Sequence, residues 1–380
     1  MKQTKITHLT SAHPRYDTRI FLKQCSSLVK IKGYKVSLIV ADGNGNELKN
    51  DVSIFDVGKL KGRLNRIFNT TKKVLNKAIE LDSDIYHFHD PELIPIGLKL
   101  KKLGKKVIFD IHENIALQIK DKEYLNYFIR NSISYVYRYY EKKSLVKFDT
   151  LILAENSYLE YYKKITNKYT IVLNMPDIQP LEEFYSIKRL KNELFYIGGI
   201  SNDRGLDVTV SAIKILKKDI SDIFMHYVGN TYNNILESVD LKSIEKNIKF
   251  YGSMPLFKGL ELSRDAKVGL SILKPIDNYM KSYSTKIFEY MALGLPVVTS
   301  DFKLYKDVIE KYNCGICVNP LNPKEIADAI KYIIDNPKEA EQMGINGRNA
   351  VLEKYNWAIE EEKLYNVYKQ LENRLILNTK

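Results

Sequence analysis

Short apolar runs alternate along this chain with stretches in which apolar residues recur every three or four positions. In the first half the runs predict strands at 5–10, 34–41, 52–57, 84–88, 106–111, 150–154 and 170–173. The helical spacing predicts helices at 17–32, 63–81, 92–103 and about 124–147. Strands that alternate with helices in this way form parallel sheets, because a parallel pair needs a long crossover connection.

The second half repeats the same alternation. Its predicted strands are 194–197, 222–228, 248–251, 268–272, 296–299 and 315–318, and the chain beyond Asn322 is helical to its end. A polar stretch at 174–192, with Pro176 and Pro180, interrupts the pattern and is a candidate linker. With 380 residues, two α/β domains with doubly wound parallel sheets are expected. We predict domains at 1–175 and 193–355, a linker at 176–192 and a C-terminal helix at 356–380.

Composition and charge narrow the class of protein. Hydrophobic residues make up 44% and charged residues 28%, which is typical of a globular protein. The net charge of +13 fits nucleic acid, phosphorylated substrates or an anionic membrane, but no helix-turn-helix, zinc-finger or single-strand-binding signature is present, so nucleic acid is disfavoured. No apolar run reaches the length of a membrane span, and residues 1–14 lack the apolar core of a secretion signal. We therefore expect a cytoplasmic protein.

The segment 284–300 carries the sharpest functional signal. Ser284 is an N-cap candidate, Gly294 lies where the helix would end, and a buried strand follows. Helical spacing places Thr285, Lys286 and Glu289 together near the helix start. This cluster is either a solvated charge pair or a ligand site at a helix N-terminus.

Loops that follow strands are the other candidate sites, since ligands of open α/β sheets bind beyond the carboxyl ends of the strands. In the first half these loops are polar at 11–17, 89–92 and 112–114. In the second half Gly198 and Gly199 lead to Arg204 and Gly205. Exposed backbone N–H groups, a helix start and the charges of Arg204 and Lys286 suit phosphate oxygens.

Five stretches, in order and at plausible spacing, resemble glycosyltransferase family 4. They are SAHPRYDTRIF at 11–21, HFHDPELIPIG at 87–97, VIFDIHEN at 107–114, YIGGISNDRGL at 196–206 and TKIFEYMALGLPVV at 285–298. The resemblance spans nearly the whole chain. It implies the GT-B fold, which has two Rossmann-like domains facing across a cleft and a last helix that crosses back to the first domain. It also implies transfer of a sugar from a nucleotide-diphosphate sugar, with retention of anomeric configuration and without a metal.

The resemblance assigns roles to individual residues. Glu289 matches the glutamate that binds ribose hydroxyls, Arg204 the basic residue that holds the diphosphate, and His112 the histidine near the donor sugar. These three are the predicted catalytic residues. The predicted donor-binding residues are Gly198, Gly199, Arg204, Ser284, Thr285, Lys286 and Glu289. The predicted substrate and acceptor residues are His13, Arg15, Asp17, His89, Asp90, Glu113 and Lys281.

Two positions depart from the family pattern. Lys281 stands where the family often has a glutamate that contacts the donor sugar, and Gly199 stands where a second basic residue is common. Lys274 and Lys281 are candidates to replace the missing positive charge. The identity of the donor sugar and of its nucleotide, UDP or GDP, therefore stays open.

Three further motifs suggest metal chemistry. His87 and His89 share one strand face, with Asp90 and Glu92 nearby, but no further histidine is close in sequence. The lone Cys314–Cys317 pair lacks a second ligand pair and is interpreted as structural. Asp82-Ser83-Asp84 precedes its strand, which puts it at the wrong sheet edge. We expect no metal site.

The stretch 124–148 mixes aromatic and basic residues, and the run 99–106 adds further lysines. Most of its tyrosines are expected to pack on the sheet, while the alternative is a helix that rests on an anionic bilayer. The resemblance to glycosyltransferase family 4, taken with these features, implies a retaining glycosyltransferase of bacterial surface polysaccharide synthesis. Its acceptor would be a saccharide on a polyprenyl carrier, and the protein would bind peripherally to the inner membrane face. The alternatives are a sugar-nucleotide epimerase of the same fold and a non-catalytic sugar-nucleotide-binding subunit.

Overall fold

The computed structural model describes residues 3–112, 115, 119, 126–232 and 235–377. The chain forms two compact units, residues 1–174 together with 358–380, and residues 175–357. The stretch predicted as a linker belongs to the second unit, where Gln179–Phe184 forms a short 3₁₀ helix. The C-terminal segment 358–380 belongs to the first unit.

The first unit contains an eight-stranded sheet in the order β3-β4-β2-β1-β5-β6-β7-β8. Its strands are β1 Thr4–Leu9, β2 Tyr34–Val40, β3 Glu47–Lys49, β4 Val52–Asp56, β5 Ile85–Phe88, β6 Lys106–Ile111, β7 Thr150–Leu153 and β8 Tyr169–Ile171. All neighbouring pairs are parallel except β3 with β4. The antiparallel β3 was not predicted, because three residues with no apolar alternation carry no strand signal.

Helices cover both faces of this sheet. They are α1 at Thr18–Cys25 continued by Ser26–Leu28, α2 at Arg63–Asn65, Arg66–Thr70 and Thr71–Leu81, α3 at Ile94–Lys102, α4 at Tyr127–Leu145 and α5 at Leu159–Tyr162. Wide π-type turns make up Thr18–Cys25 and Arg66–Thr70. The Asp17 carboxylate caps α1 by accepting from the N–H groups of Arg19 and Ile20, which satisfies donors that a helix start leaves unpaired.

One face of the central strands is apolar and the other is polar. Tyr86, Phe88 and Phe109 join the apolar core beneath α2, α3 and α4. Because side chains alternate along a strand, His87 and Asp110 point to the opposite face. His8 of β1 pairs in register with His87, so the polar side chains form a row across three strands.

The second unit contains a parallel six-stranded sheet in the order β11-β10-β9-β12-β13-β14. Its strands are β9 Glu193–Ile197, β10 Phe224–Val228, β11 Ile248–Phe250, β12 Ala266–Ser271, β13 Val297–Ser300 and β14 Gly315–Val318. Its helices are α6 Leu206–Leu216, α7 Leu256–Leu260, α8 Asp277–Lys281, α9 Thr285–Ala292, α10 Lys303–Tyr312, α11 Pro323–Asp335 and α12 Pro337–Glu353. A last helix, α13 at Trp357–Leu377, follows. Apolar residues from α6, α11 and the strands form one buried core.

Helix α9 begins and ends where the sequence predicts. Ser284 holds the N-cap position, and Gly294 follows the helix with φ +71°, the left-handed conformation that glycine adopts at little cost. The hydroxyl of Ser284 does not cap the helix, however, and lies 2.8 Å from the Ser271 hydroxyl instead. The predicted N-cap position is therefore confirmed, although the Ser284 side chain makes no capping hydrogen bond.

Candidate functional site

Strand order in the second unit reverses between β9 and β12, and such a reversal opens a crevice at the carboxyl ends of the strands. Gly198, directly after β9, has φ +132°. A Cβ at Gly199 would lie 2.8 Å from the Tyr232 ring and 3.0 Å from the Arg204 guanidinium. A basic residue at position 199 would therefore require the Tyr232 and Arg204 side chains to shift.

Two cations flank this glycine turn. Arg204 Nη1 is 3.5 Å from the Gly199 carbonyl oxygen. Lys286 Nζ lies 5.2 Å from the centroid of the Tyr196 ring, and a Cβ built on Gly198 would be 3.6 Å from it. Burial and the nearby Arg204 charge lower the pKa of Lys286 to about 8, against the opposing effect of Glu289. An anion placed between the two cations would relieve their repulsion.

The start of α9 adds backbone donors to the same place. The first N–H groups of a helix have no acceptor within it, and the Ser284 side chain does not supply one. The buried Tyr290 hydroxyl fixes the helix to the sheet, because it accepts from the N–H of Ile197 and donates to the Leu270 carbonyl, both at 3.2 Å. The start of α9, with Thr285 and Lys286, is thus held close to the turn at Gly198.

Glu289 lies one turn further along α9 and is half-buried. Its charge acts on Lys286 by raising the lysine pKa. Three- and four-residue spacing on a helix puts Glu289 on the same side as Thr285 and Lys286. A ligand that offers both hydroxyls and phosphates would match this order of carboxylate and cations.

The two lysines predicted to replace the missing positive charge are both paired with carboxylates. Lys274 Nζ lies 2.7 Å from Asp207, and Lys281 Nζ lies 2.6 Å from Asp277 on the partly exposed helix α8. Their charge is balanced locally, so the geometry does not support the hypothesis that they compensate at the diphosphate. Arg204 and Lys286 are the cations that border Gly198 and Gly199.

In the first unit five of the six histidines gather at the carboxyl ends of β1, β5 and β6 around one aspartate. Asp110 is fully buried and accepts from Arg19 Nε at 2.9 Å and Nη2 at 2.8 Å, and from Gln24 Nε2 at 2.7 Å. His112 Nε2 lies 2.8 Å from Asp110 Oδ2. Burial opposes ionisation, but Arg19 and His112 hold the pKa of Asp110 well below its usual range.

The buried histidines form a hydrogen-bonded chain that ends on this carboxylate. His87 Nδ1 lies 2.8 Å from the hydroxyl of Tyr368 on α13, which lies 3.1 Å from His8 Nε2. His8 Nδ1 lies 2.9 Å from His89 Nε2, and His89 Nδ1 is 3.3 Å from Asp110. A carboxylate only accepts hydrogen bonds, so His89 carries its hydrogen on Nδ1. His89 Nε2 then accepts from His8 Nδ1, His8 Nε2 accepts from the Tyr368 hydroxyl, and that hydroxyl accepts from His87 Nδ1. Every donor in the chain therefore points toward Asp110.

The same rule fixes His112. Its Nε2 carries hydrogen toward Asp110, so in the neutral tautomer Nδ1 is the acceptor. Burial lowers the pKa of His89 to about 3 and the pKa values of His8 and His87 well below their usual range. These three imidazoles are therefore neutral at physiological pH.

Two groups of these side chains have ligand atoms close enough together to hold a metal ion. They are His8 with His87 and His89, and His89 with Asp110 and His112. The hydrogen-bond pattern favours a chain of neutral imidazoles instead. Asp110 is already neutralised by Arg19, and a metal would have to compete with that guanidinium. Our expectation that His87 and His89 bind no metal stays a prediction.

Four first-unit residues predicted for the acceptor border the same edge, namely His13, Asp17, His89 and Asp90. His13 Nδ1 is 3.2 Å from Asp17 and its Nε2 is 3.4 Å from Asp90. Burial raises the pKa of Asp17, but His13 and the N–H of Ile20 outweigh it and hold that pKa well below its usual range. His13, His89, Asp90 and His112 line one cavity of about 360 Å³.

Arg15 does not share this cavity. Its guanidinium is buried and donates to Asp42 at 2.7 and 2.8 Å, to Glu47 at 2.9 Å and to the Gly45 carbonyl. Those bonds fix the loop before β3, so the geometry gives Arg15 a structural role and does not support its predicted contact with an acceptor. Glu113 lies outside the described residues.

Sequence reasoning missed Asp110, Arg19 and Tyr368. Two signals were available for Asp110, namely a charged residue in the middle of a buried strand and its position two residues before His112 on the same face. Tyr368 contacts His8 across 360 sequence positions, and no local pattern could have paired them.

The fold and the two sites define a class. Two parallel-sheet α/β units, one with a glycine turn flanked by two cations and the other with a histidine cluster at the carboxyl ends of its strands, match the GT-B fold. The sequence matches the family model described as glycosyltransferase family 4 over residues 19–178 and that described as glycosyl transferases group 1 over residues 178–350. The chain belongs to this family of GT-B, family 4-type glycosyltransferases and is an enzyme of that class.

Characterised and uncharacterised relatives agree with this placement. An uncharacterized glycosyltransferase of Methanocaldococcus jannaschii is 25% identical over 301 residues, which is 74% of this chain and 71% of that protein. The capsular polysaccharide biosynthesis glycosyltransferase CapM of Staphylococcus aureus is 26% identical over 208 residues, 50% of each chain.

Solved structures share the fold at low sequence identity. Sucrose-phosphate synthase from Thermosynechococcus elongatus superposes with a TM-score of 0.75 at 15% identity and covers 98% of this chain and 100% of its own. HepE of Anabaena, solved with UDP-glucose, gives a TM-score of 0.71 at 12% identity and covers 97% of this chain and 100% of its own.

Proposed function

We propose that this enzyme transfers a sugar from a nucleotide-diphosphate sugar to a saccharide acceptor on a lipid carrier, with retention of anomeric configuration, in the synthesis of a bacterial surface polysaccharide. The donor would bind the second unit at Gly198, Gly199 and the start of α9. The first unit would supply His112 and the acceptor side.

The observation that carries this proposal is the pair of cations at the glycine turn. Arg204 and Lys286 border Gly198 and Gly199, and the Arg204 charge lowers the pKa of Lys286. Two neighbouring positive charges are costly unless an anion joins them, and a diphosphate spans such a pair. Glu289, one turn along α9, would accept from ribose hydroxyls.

The chemistry follows from where charge develops. As the bond between the anomeric carbon and the diphosphate oxygen breaks, positive charge grows on the sugar and negative charge on the leaving group. Arg204, Lys286 and the amides at the start of α9 would stabilise that negative charge by preorganised electrostatics, and we propose that this dispenses with a metal. The Nδ1 atom of His112 would accept a hydrogen bond from a sugar hydroxyl.

The comparisons support the substrate classes. HepE was solved with UDP-glucose, and CapM is named for capsular polysaccharide biosynthesis. Both favour a nucleotide-sugar donor and a saccharide acceptor for this chain. They leave the base and the sugar to experiment.

A ligand panel tests the donor directly. UDP- and GDP-sugars are screened for a rise in melting temperature, because a ligand that binds only the native state stabilises it, and the hits are incubated with lipid-linked saccharides to detect a new glycosidic bond. Wild type should bind and transfer, and Glu289→Gln should bind more weakly. Conversion of the donor to an epimer without transfer would favour an epimerase, and binding without any turnover would favour a non-catalytic subunit.

The membrane part of the proposal rests on α4. Several of its aromatic residues are exposed, including Phe128 at 76%, Tyr135 at 75% and Tyr139 at 61%, so the expectation that most tyrosines of this stretch pack on the sheet is wrong. The basic residues Lys142 and Lys143 are exposed as well. Among the described residues, none of the helices is long and apolar enough to cross a membrane. A helix with exposed aromatic and basic residues suits the surface of an anionic bilayer.

Co-sedimentation with vesicles tests this surface. Each Lys or Arg near an anionic membrane is worth about 1 kcal/mol, so joint reversal of Lys142, Lys143 and Lys147 to glutamate should abolish binding to phosphatidylglycerol vesicles. Tyr332→Ser, which removes an exposed aromatic of the second unit, is the control and should bind normally. Binding that is indifferent to anionic lipid and to salt would contradict the membrane proposal.

A further inference from the structure

A second cavity of about 800 Å³ lies among helices α2, α3 and α4 of the first unit. Its volume is within the range of pockets that hold organic ligands. Its wall is largely apolar and includes Ile67, Phe68, Leu75, Ile96 and Tyr140. Such a wall favours a hydrocarbon chain, since burial of apolar surface is favourable.

Four cations line the same cavity, namely Arg63, Arg66, Lys72 and Lys99. Glu92 also lines it and lies 2.8 Å from Arg66 Nε, so one of the four positive charges is balanced and the lining remains positive. An apolar wall combined with several cations suits an amphipathic anion, which has a hydrocarbon tail and a phosphate head.

This large cavity adjoins the smaller one that holds His13, Asp90 and His112. The two share Arg63, Arg66 and the Arg66-paired Glu92, as well as Pro91, Ile115 and Tyr137. The cations therefore stand at the junction between an apolar section and a polar section. A ligand that filled both sections would carry its anionic group between a tail and a polar head.

We propose that the large cavity binds the lipid phosphate or diphosphate that carries the acceptor saccharide. The hydrocarbon would lie against Phe68 and Ile96, the phosphate would contact Arg63 and Arg66 at the junction, and the saccharide would extend toward His112. This inference rests on the proposed function and names the acceptor class for the same site.

The position of α4 agrees with delivery from a bilayer. Tyr137 and Tyr140 of this helix line the cavity, and Tyr135, Tyr139 and Tyr140 are among its exposed aromatics. A lipid leaving a membrane that contacts the exposed side of α4 would have the cavity on the adjacent side of the same helix.

Farnesyl diphosphate is a soluble probe of this site, and its binding to the full chain is measured calorimetrically without vesicles. Farnesol and inorganic diphosphate, which each lack half of the ligand, should bind at least tenfold more weakly. Dihexanoyl phosphatidylglycerol separates the sources of phosphate, because equal or tighter binding of this phospholipid would overturn the assignment to a saccharide carrier.

Matched variants locate the binding. Arg63→Ala should weaken farnesyl diphosphate about tenfold, the order expected for loss of a charge-assisted hydrogen bond, and Phe68→Ala should weaken it several-fold. Arg130→Ala and Phe128→Ala remove the same residue types from the α4 surface outside the cavity and should bind normally. All four positions are at least partly exposed, so the variants are expected to fold.

The test of the lipid site can be separated from the test of the donor site, because the nucleotide sugar is proposed to bind the second unit and the lipid phosphate the first. Protection by a nucleotide sugar without farnesyl diphosphate binding would overturn the carrier site and leave the donor proposal intact. Equal weakening by the cavity variants and their surface controls would also overturn it. Binding of farnesyl diphosphate that only Arg63→Ala and Phe68→Ala weaken would support it, whatever the donor panel yields.

Discussion

Substitution of Asp110 by asparagine tests the buried network that orients His112. The carboxylate has no exposed surface and accepts from Arg19, Gln24 and His112. Asparagine keeps the size of the side chain and one carbonyl oxygen but removes the charge. Arg19, which is 4% exposed, would then be a buried cation without a counter-ion.

Removal of one member of a buried ion pair costs about 3–5 kcal/mol, mostly because the remaining charge is left unpaired. The total free energy of unfolding of a domain is about 5–15 kcal/mol, so this is a large fraction. At roughly 2–4 °C per kcal/mol for a domain of this size, the melting temperature of the first unit should fall by about 6–20 °C.

Differential scanning calorimetry is the appropriate assay, because two units can unfold in separate transitions. The transition that a nucleotide ligand raises directly belongs to the second unit, and the other should move in Asp110→Asn. Asp82→Asn is the matched control, since it makes the same chemical change at an exposed carboxylate that pairs with Lys105, where surface screening leaves little to lose.

The double variant with Arg19→Met separates the ion pair from other effects of the substitution. If the charges support each other, the double variant should be more stable than the sum of the single losses predicts. An unchanged melting temperature in Asp110→Asn, or single effects that simply add, would refute the reasoning.

Three further predictions concern the second unit. Glu289→Ala should lower catalytic efficiency by about ten- to a hundredfold with an unchanged melting temperature, since bonds to a charged group are worth about 1.5–3 kcal/mol; near-normal steady-state kinetics would remove the glutamate from the site. Arg204→Ala should weaken a nucleoside diphosphate far more than the bare nucleoside in calorimetric titrations, and Arg204→Lys should retain part of the affinity; equal losses for both ligands would contradict a phosphate contact. Because the pKa of Lys286 is lowered to about 8, its ammonium is lost as pH rises through 8, so diphosphate affinity should fall between pH 7 and pH 9, and a similar fall in Lys286→Arg would exclude this lysine as the cause.

The strand pattern and the helix at 284–294 were predictable because their signals are local. Alternating apolar runs are typical of strands, and Gly294 was recognised as a helix end because no other residue adopts its conformation as easily. The loops after the strands were predicted to carry the polar residues, and His13, Asp90 and His112 do line one cavity.

The choice of partners was not predictable from local pattern. Arg15 and Lys274 look like substrate-binding cations in the sequence, and both are paired with carboxylates of neighbouring segments. The face that a helix exposes to solvent also depends on the segments that pack against it. Helix α4 has aromatic residues on most sides, so its exposed face is set by what packs against it and not by its own spacing.

Neutral imidazoles around Asp110 have a physical reason that follows from its burial. An ionised carboxylate inside a core needs several hydrogen-bond donors, and Arg19 supplies the compensating charge. Additional charged donors would leave excess positive charge buried, whereas a neutral His89 donates one hydrogen bond and adds none. Of the residues that contact Asp110, His112 has a partly exposed side chain, at 15%. The buried chain from Tyr368 thereby holds the carboxylate in place, and the carboxylate in turn keeps hydrogen on Nε2 of His112, which leaves Nδ1 as the acceptor of the neutral tautomer.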